Sequence, residues 1–221
     1  GSEFGKVLPD YAAVIFDEAH LIEDIASEYF GNQVSSYQLD ELIGDVGRLP
    51  ITDVATDKDL TKQWGRIIGF ADQFWARFAQ GRSQDGRFPL QASSFATKTN
   101  SGEIQPTPLG EAYFQLDTAM QRLESTLMQL SKDESEIESV VRRTQQIRFD
   151  LEFISSQSEK NFVYWLERRG RGMFLRASPI DVSGLLQDKL FDKTETVVLT
   201  SATLSTNGKF NFIKDRLGLD N

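Results

Sequence analysis

Cysteine is absent from all 221 residues, so this stretch holds no disulfide and no cysteine-ligated Fe–S cluster. Its absence fits a reducing compartment, and the cytoplasm is the expected location. Histidine occurs once, at His20. Positive charge is scarce: 24 Lys and Arg stand against 33 Asp and Glu, for a net charge of −9. That balance argues against gripping nucleic acid by bulk charge, so any such contact must come from local basic or aromatic patches. No uncharged apolar run is long enough for a membrane span, no signal peptide is visible, and no solenoid-type repeat occurs. A phosphate-cradling loop is missing too. It would need Gly-x4-Gly-Lys followed by Ser or Thr, so that backbone N–H groups wrap the phosphates and the lysine reaches the terminal ones. The nearest string, Gly81 to Phe88, has Arg87 for the lysine and Phe88 for the hydroxyl, with no apolar strand leading into it. It reads as a loop.

What is present can build a core. Hydrophobic residues make up 39% of the chain, with 16 Phe and 3 Trp, enough for one or two domains. Residues 1–5 read as a vector-derived tag and are set aside. A short helix is expected over 21–30, and a second one, capped by Ser35 or Ser36, carries Leu39, Leu42, Ile43, Val46 and Leu49 up to Pro50. The polar segment 50–58 reads as a loop. From Asp59 to Gln80 the positions Leu60, Trp64, Ile67, Ala71, Phe74 and Phe78 trace one face of a long helix. A base-stacking stripe is conceivable there, but helical spacing favours core packing.

Residues 81–106, rich in Gly, Ser, Thr and Asn, read as a long mobile connection tacked down by Phe88 and Phe95. Thr107-Pro108 marks a helix start. The stripe Leu109, Tyr113, Leu116, Met120, Leu123, Leu127, Leu130 keeps heptad spacing. A second stripe runs Ile137, Val140, Thr144, Ile147, Leu151, Ile154 after an acidic break at 132–136, and the two predict an antiparallel hairpin. Lys132 to Glu138 reads as a solvated turn. Phe162–Glu167 and Met173–Ala177 read as strands around Arg168-Arg169-Gly170-Arg171-Gly172. A helix over 182–191, capped by Ser183, a buried strand over Thr196–Thr200 and a helix over 210–217 complete the chain, with Pro179 and Asp181 shaping a turn.

The most informative stretch is Tyr11-Ala12-Ala13-Val14-Ile15-Phe16-Asp17-Glu18-Ala19-His20. An unbroken apolar run ending in acids suits a central strand of a parallel sheet, covered on both faces. Such sheets bind ligands beyond the carboxyl ends of their strands. Asp17 would sit where a nucleotide-bound Mg²⁺ could be met, beside Glu18, which could orient a water. The plainer alternative is an acidic strand end capping the next helix. Read alone, His20 is more often a capping or hydrogen-bonded structural residue, and Ser201 and Thr203 could form no more than a turn after a strand. Arg168, Arg169, Arg171 and Arg176 are the local candidates for phosphate contacts, with a solvated hairpin turn as the alternative.

Asp17-Glu18-Ala19-His20 resembles the Walker B, or DEAH, box of superfamily 2 helicases. Leu21-Ile22-Glu23-Asp24, Tyr164-Trp165-Leu166-Glu167, Ser178-Pro179-Ile180-Asp181-Val182-Ser183 and Leu199-Thr200-Ser201-Ala202-Thr203-Leu204 narrow the resemblance to DinG/XPD-type DNA helicases, nearest the bacterial DinG-like branch. It covers residues 6–30 and 161–219 well, while the middle matches only by helical character. The resemblance implies an α/β fold, mainly α, in which 6–34 and 161–221 belong to a first RecA-like motor domain and 35–160 form the helical Arch insertion. It implies an ATP-dependent helicase of 5′→3′ polarity serving repair or replication. ATP and Mg²⁺ are its cofactors; single-stranded DNA and duplex junctions are its partners. A 4Fe–4S cluster ahead of the DEAH box is left open.

By resemblance Asp17 holds Mg²⁺ and Glu18 positions the attacking water. His20 links the nucleotide site to the coupling motif Ser201-Ala202-Thr203. The other reading makes the Arch chiefly a protein-interaction module. The stretch is expected to begin after the P-loop and to end before the second motor domain. Three structural expectations follow. The middle should be helical with strands only at the ends, the strands at 12–16 and 196–200 should run parallel side by side, and part of their apolar surface should be exposed.

Overall fold

The computed structural model describes residues 11–49, 54–130, 135–205 and 208–219. In chain order the elements are β1 (Ala13–Phe16), α1 (Ile22–Tyr29), β2 (Asn32–Ser35), α2 (Ser36–Val46), α3 (Val54–Ala79), β3 (Gly86–Pro89), β4 (Ala96–Lys98), β5 (Ile104–Pro106), α4 (Pro108–Leu130), α5 (Ser135–Ser156), β6 (Phe162–Arg169), β7 (Gly172–Pro179), α6 (Ser183–Lys189), β8 (Thr196–Leu199) and α7 (Asn211–Leu217). The fold is α/β and mainly helical, as expected. Two compact units divide the chain: one combines the stretch up to Gly31 with Ser178 onward, and the other is Asn32–Ala177.

The first unit is built on a parallel pair. β1 and β8 align Ala13 with Thr196, Val14 with Val197, Ile15 with Val198 and Phe16 with Leu199. The side-by-side parallel arrangement read from the sequence is present. One face of the pair rests on a small core of Ala19, Ile22, Ala26, Val182, Leu186 and Leu217, with Phe16 and Leu199 packed against it. The other face is not covered as a central strand would be, and it carries the apolar exposure expected for this pair: Ile15 is 70% and Val198 41% exposed. With helices on one side of a two-stranded sheet, nothing among the described residues of this unit covers its second face. At α6 the capping role falls to Asp181, not to Ser183. Asp181 Oδ1 accepts from Ser183 N at 2.8 Å, and this bond is the main reason its carboxyl titrates below the ordinary range.

The second unit holds the larger core. α2 starts on a capping box, in which Ser35 Oγ accepts from Gln38 N at 3.1 Å and Gln38 Oε1 accepts from Ser35 N at 2.8 Å. The stripe on α3 is core: Leu60, Ile67, Ala71, Phe74 and Phe78 are buried, and Trp64 is part-buried with its Nε1 donating to Ile43 O at 2.8 Å. α3 begins at Val54, so the loop expected over 50–58 is overturned from 54 onward, and 50–53 lie outside the described residues. Polar residues without Gly or Pro do not stop a helix, and Pro50 is the last breaker before it.

α4 and α5 form the expected antiparallel hairpin, burying Leu116, Met120, Leu123 and Leu127 with Ile137, Val140, Leu151 and Ile154. Their shared flank is tied by Arg148, which donates to Asp117 Oδ1 at 2.8 Å and Glu124 Oε2 at 2.6 Å. Of the acidic break, residues 131–134 lie outside the described part, and 135–138 are already helical, not a turn.

Residues 81–106 are the main departure. They contain β3, β4 and β5, so strands are not confined to the ends of the chain. β3 pairs with β6 and β4 with β5, and Leu90 and Phe95 are buried. Strands of three or four residues leave no periodic signal, and their backbone partners lie elsewhere in the chain. The four-stranded sheet runs in the order β2-β7-β6-β3. The compact unit therefore extends beyond the expected helical insert of 35–160 at both ends, because β2 and the hairpin β6–β7 share a sheet backed by its helices. Among the described residues no helix is long and apolar enough to cross a membrane.

Candidate functional site

The carboxyl ends of β1 and β8 converge, and their ladder continues one step past the strands. Thr200 N donates to Phe16 O and Ala19 N donates to Thr200 O, both at 2.9 Å. Between them the chain turns sharply through Glu18, whose φ of 51° and ψ of 43° are left-handed. A non-glycine residue there costs about 1 kcal/mol or more. The turn is held by Asp17 Oδ1, which accepts from Glu18 N at 3.0 Å and from Thr200 Oγ1 at 2.8 Å.

A second set of contacts lies one residue further along each segment. His20 Nδ1 is 2.9 Å from Ser201 Oγ and 3.2 Å from Glu18 Oε2. Ser201 Oγ also lies 3.3 Å from Glu18 Oε2 and accepts from Thr203 N at 3.3 Å. One assignment satisfies all of these: Nδ1 carries a proton and donates to Ser201, whose hydroxyl donates to Glu18. Both carboxylates and the imidazole are solvent-exposed, while Ala19 between them is fully buried and anchors the turn. The sequence-predicted residues Asp17, Glu18, His20, Ser201 and Thr203 thus meet in one cluster, and Ala202 lies exposed within its last turn.

Among the described residues no group of three or more His, Cys, Asp or Glu could by itself hold a metal. The donor set nevertheless suits a hard cation brought with phosphates. Asp17 Oδ1 is engaged twice, while no hydrogen bond engages its Oδ2 among the described residues. Mg²⁺ commonly takes one or two carboxylate oxygens and completes its shell with water and substrate oxygens.

The four arginines do not form one patch. Arg168 lies on the helix-facing side of the sheet and donates to Arg82 O. Arg169 and Arg176 lie on the opposite face and converge on buried Glu167, with Arg169 Nε at 2.8 Å from Oε1 and Arg176 Nε at 3.2 Å from Oε2. Arg87 of β3 joins them at 3.5 Å. Burial, the largest single influence, raises the Glu167 pKa, but the Arg169 hydrogen bond and the three guanidinium charges outweigh it and hold the carboxyl below its ordinary range. Arg171 is exposed in the Gly170-Arg171 turn.

No family model matches the chain. It is 30% identical over 221 residues to the ATP-dependent DNA helicase YoaA of Escherichia coli K12, covering 99% of this chain and 32% of that protein. The YoaA helicase of Haemophilus influenzae is 28% identical across 100% of this chain and 32% of its own length. A Bacillus subtilis protein named 3′-5′ exonuclease DinG is 23% identical, over 97% of this chain and 27% of that one. The chain belongs to the DinG-like helicases. It spans about a third of the length of the YoaA relatives it matches.

Two residues of this DinG-like chain were given no site role from sequence and matter to the geometry. Thr200 braces Asp17, and its signal was there: a hydroxyl at the end of the strand just before Ser201. Arg87 joins the Glu167 cluster through the β3–β6 pairing, and nothing local in the sequence signals that.

Proposed function

We propose that this chain is the part of an ATP-dependent DNA helicase that supplies the catalytic carboxylates, the motif coupling them to DNA, and the helical Arch. The observation that carries the reading is the Asp17–Thr200 hydrogen bond of 2.8 Å beside the His20–Ser201 contact of 2.9 Å. Two motifs about 180 residues apart are joined by side chains suited to nucleotide hydrolysis. Asp17 offers one carboxylate oxygen to Mg²⁺, which neutralises charge on the phosphates when bound. Glu18 aligns the attacking water, the left-handed turn fixing its carboxylate beyond the strand end. Catalysis of this type is mostly positioning and charge stabilisation.

His20 and Ser201 form the coupling device. A shift of the segment 201–203 alters the Ser201–Glu18 and Ser201–His20 contacts together, so DNA-driven movement of that segment reaches the carboxylate that orients water. In this reading the unit of residues 32–177 contains the Arch, the helicase moves along single-stranded DNA with 5′→3′ polarity, and Arg169, Arg171 and Arg176 supply phosphate contacts. Arg168 is a weaker member because its guanidinium is tied to Arg82 O.

The test uses the whole protein that contains this stretch. ATP hydrolysis should rise with single-stranded DNA, and a duplex with a 5′ single-stranded tail should be unwound in preference to one with a 3′ tail. DNA-independent hydrolysis, or preference for the 3′ tail, would overturn the coupling or the polarity respectively.

A further inference from the structure

One face of the sheet β2-β7-β6-β3 packs on helices through Val34, Leu166 and Leu175. The opposite face has a different chemistry. The registers put Ser35 beside Phe174, Gln33 beside Arg176, Arg87 beside Glu167 and Pro89 beside Trp165. Strand alternation directs these to the side away from the helical core. Tyr37, in the first turn of α2, extends the same face. Its ring centroid is 5.9 Å from that of Phe174, and it lies so close over Gly172 that a Cβ there would come within 2.4 Å of Tyr37 Cε2. Glycine at 172 is what lets the ring lie down.

The arginines are interleaved with these rings. The Arg87 guanidinium stands 5.6 Å from the Trp165 centroid, and that of Arg176 stands 5.9 Å from Phe174. Glu167 gathers Arg87, Arg169 and Arg176, which concentrates guanidinium groups on this face of an acidic chain. The Arg87 and Arg169 side chains remain 67% and 61% exposed. Aromatic rings and guanidinium planes are the surfaces on which unstacked bases lie, and surplus positive charge is what phosphates need. A duplex hides its base faces and could use only the charge.

We propose that this sheet face binds single-stranded DNA, its bases stacking on Trp165 and the Tyr37–Phe174 pair and its phosphates meeting Arg87 and Arg169. Glu167 is the positioning residue that holds the arginines in a row. The proposal rests on the helicase reading, and it adds to the phosphate contacts a stacking platform of Trp165, Tyr37 and Phe174 and the arginine Arg87.

The test is fluorescence anisotropy of labelled oligo-dT titrated with the 221-residue chain at several salt concentrations, with tryptophan emission followed in parallel. Binding should quench tryptophan emission and weaken with salt. Arg87→Ala should lower affinity several-fold and reduce the logarithmic salt slope by about 0.7. Trp165→Ala should weaken binding about ten-fold, with Trp165→Phe retaining most of it. Should Trp165→Ala fail to fold by circular dichroism, Tyr37→Ala and the exposed Arg87→Ala decide. Oligo-dT binding unchanged in Arg87→Ala, or a blunt duplex bound as tightly as the single strand, would overturn the proposal. A parallel assay of DNA-stimulated ATP hydrolysis by the whole protein separates the two levels. Stimulation together with indifference to these substitutions sinks the sheet face alone, and absence of stimulation sinks the helicase reading beneath it.

Discussion

Thr200 donates its hydroxyl to Asp17 Oδ1 at 2.8 Å, across 183 residues of sequence. The bond joins the ends of two parallel strands, and among the described residues no hydrogen bond engages the second oxygen of Asp17. Thr200→Val keeps the shape and removes the donor. Thr200 is exposed, so the loss of folding stability should stay within about 0.5 kcal/mol. In the whole protein, ATP turnover should nevertheless fall by about 10–100-fold, the usual cost of removing an orienting partner of a metal-binding group. Unchanged turnover would mean that Asp17 is held adequately by the Glu18 N–H alone.

Glu18→Gln in the whole protein should leave nucleotide binding near its original affinity and cut turnover by at least about 100-fold, because the amide keeps the shape but cannot accept a proton from water. This chain alone should release no measurable phosphate from ATP, with or without DNA. None of its residues forms a glycine-rich phosphate cradle with a following lysine. Glu18-dependent turnover by the chain alone would reveal a phosphate site that the sequence does not signal.

Periodicity made most helices legible, because an apolar stripe such as Leu116, Met120, Leu123, Leu127 records burial against one neighbour. The cluster at Asp17 was legible through the family resemblance, which brings Asp17, Glu18 and His20 together with Ser201 and Thr203; the residues alone also suited a capped strand end and a turn. What escaped was non-local. β3 is four residues whose partner is β6, and no local pattern foretells that pairing or brings Arg87 to Glu167. The exposed apolar face of β1 and β8, by contrast, was expected: Ile15 and Val198 belong to a run that suits burial on both faces, and only one face is covered among the described residues.

Asp150 offers a stability test. Burial raises its pKa above the ordinary carboxylate range, while hydrogen bonds from Asn32, at 2.7 Å, and Gln146, at 3.0 Å, only partly offset the shift. A carboxyl with a raised folded pKa binds its proton more tightly in the folded state. Its penalty is therefore absent below the ordinary pKa, grows as pH rises through the shifted one, and is complete at neutral pH. Asp150→Asn keeps an acceptor for Asn32 and should stabilise the chain by up to about 1 kcal/mol at pH 7, with the gain vanishing at low pH. Urea melts at pH 7 and pH 4 measure this, and equal effects at both would contradict it.

Glu167 should behave in the opposite sense. Its carboxyl is held below the ordinary range, so its contribution is present above the unfolded pKa and is lost as pH falls through the folded one. Glu167→Gln should cost on the order of 1 kcal/mol or more at neutral pH, since Arg169 and Arg176 lose their shared counter-charge. The difference between Glu167→Gln and the unsubstituted chain should close in acid, where both carry a neutral group. A difference that is constant from pH 7 to pH 3 would assign the effect to packing instead.

Gly110 tests the packing of the segment that the sequence did not resolve. It sits in the first turn of α4, where its N–H donates to Thr107 Oγ1 at 3.1 Å. A Cβ at this position would lie 1.9 Å from the carbonyl oxygen of Phe95 and 3.3 Å from Pro106 Cβ. The Phe95 carbonyl cannot easily retreat, because it accepts from Thr107 N at 2.9 Å and Thr107 Oγ1 at 3.2 Å while the Phe95 ring is buried against the core. The helix start and the segment bearing Phe95 are thus in backbone contact, which only glycine permits. Alanine normally favours a helix over glycine by up to about 1 kcal/mol. Here overpacking against fixed backbone should outweigh that gain, and Gly110→Ala should destabilise the chain by about 1–3 kcal/mol. Gly65→Ala is the control, a mid-helix glycine of α3 with open space where its Cβ would go; it should be neutral or stabilising. Thermal melts of the two variants side by side decide the matter. A Gly110→Ala chain as stable as Gly65→Ala would show that α4 and the Phe95 segment are not in contact.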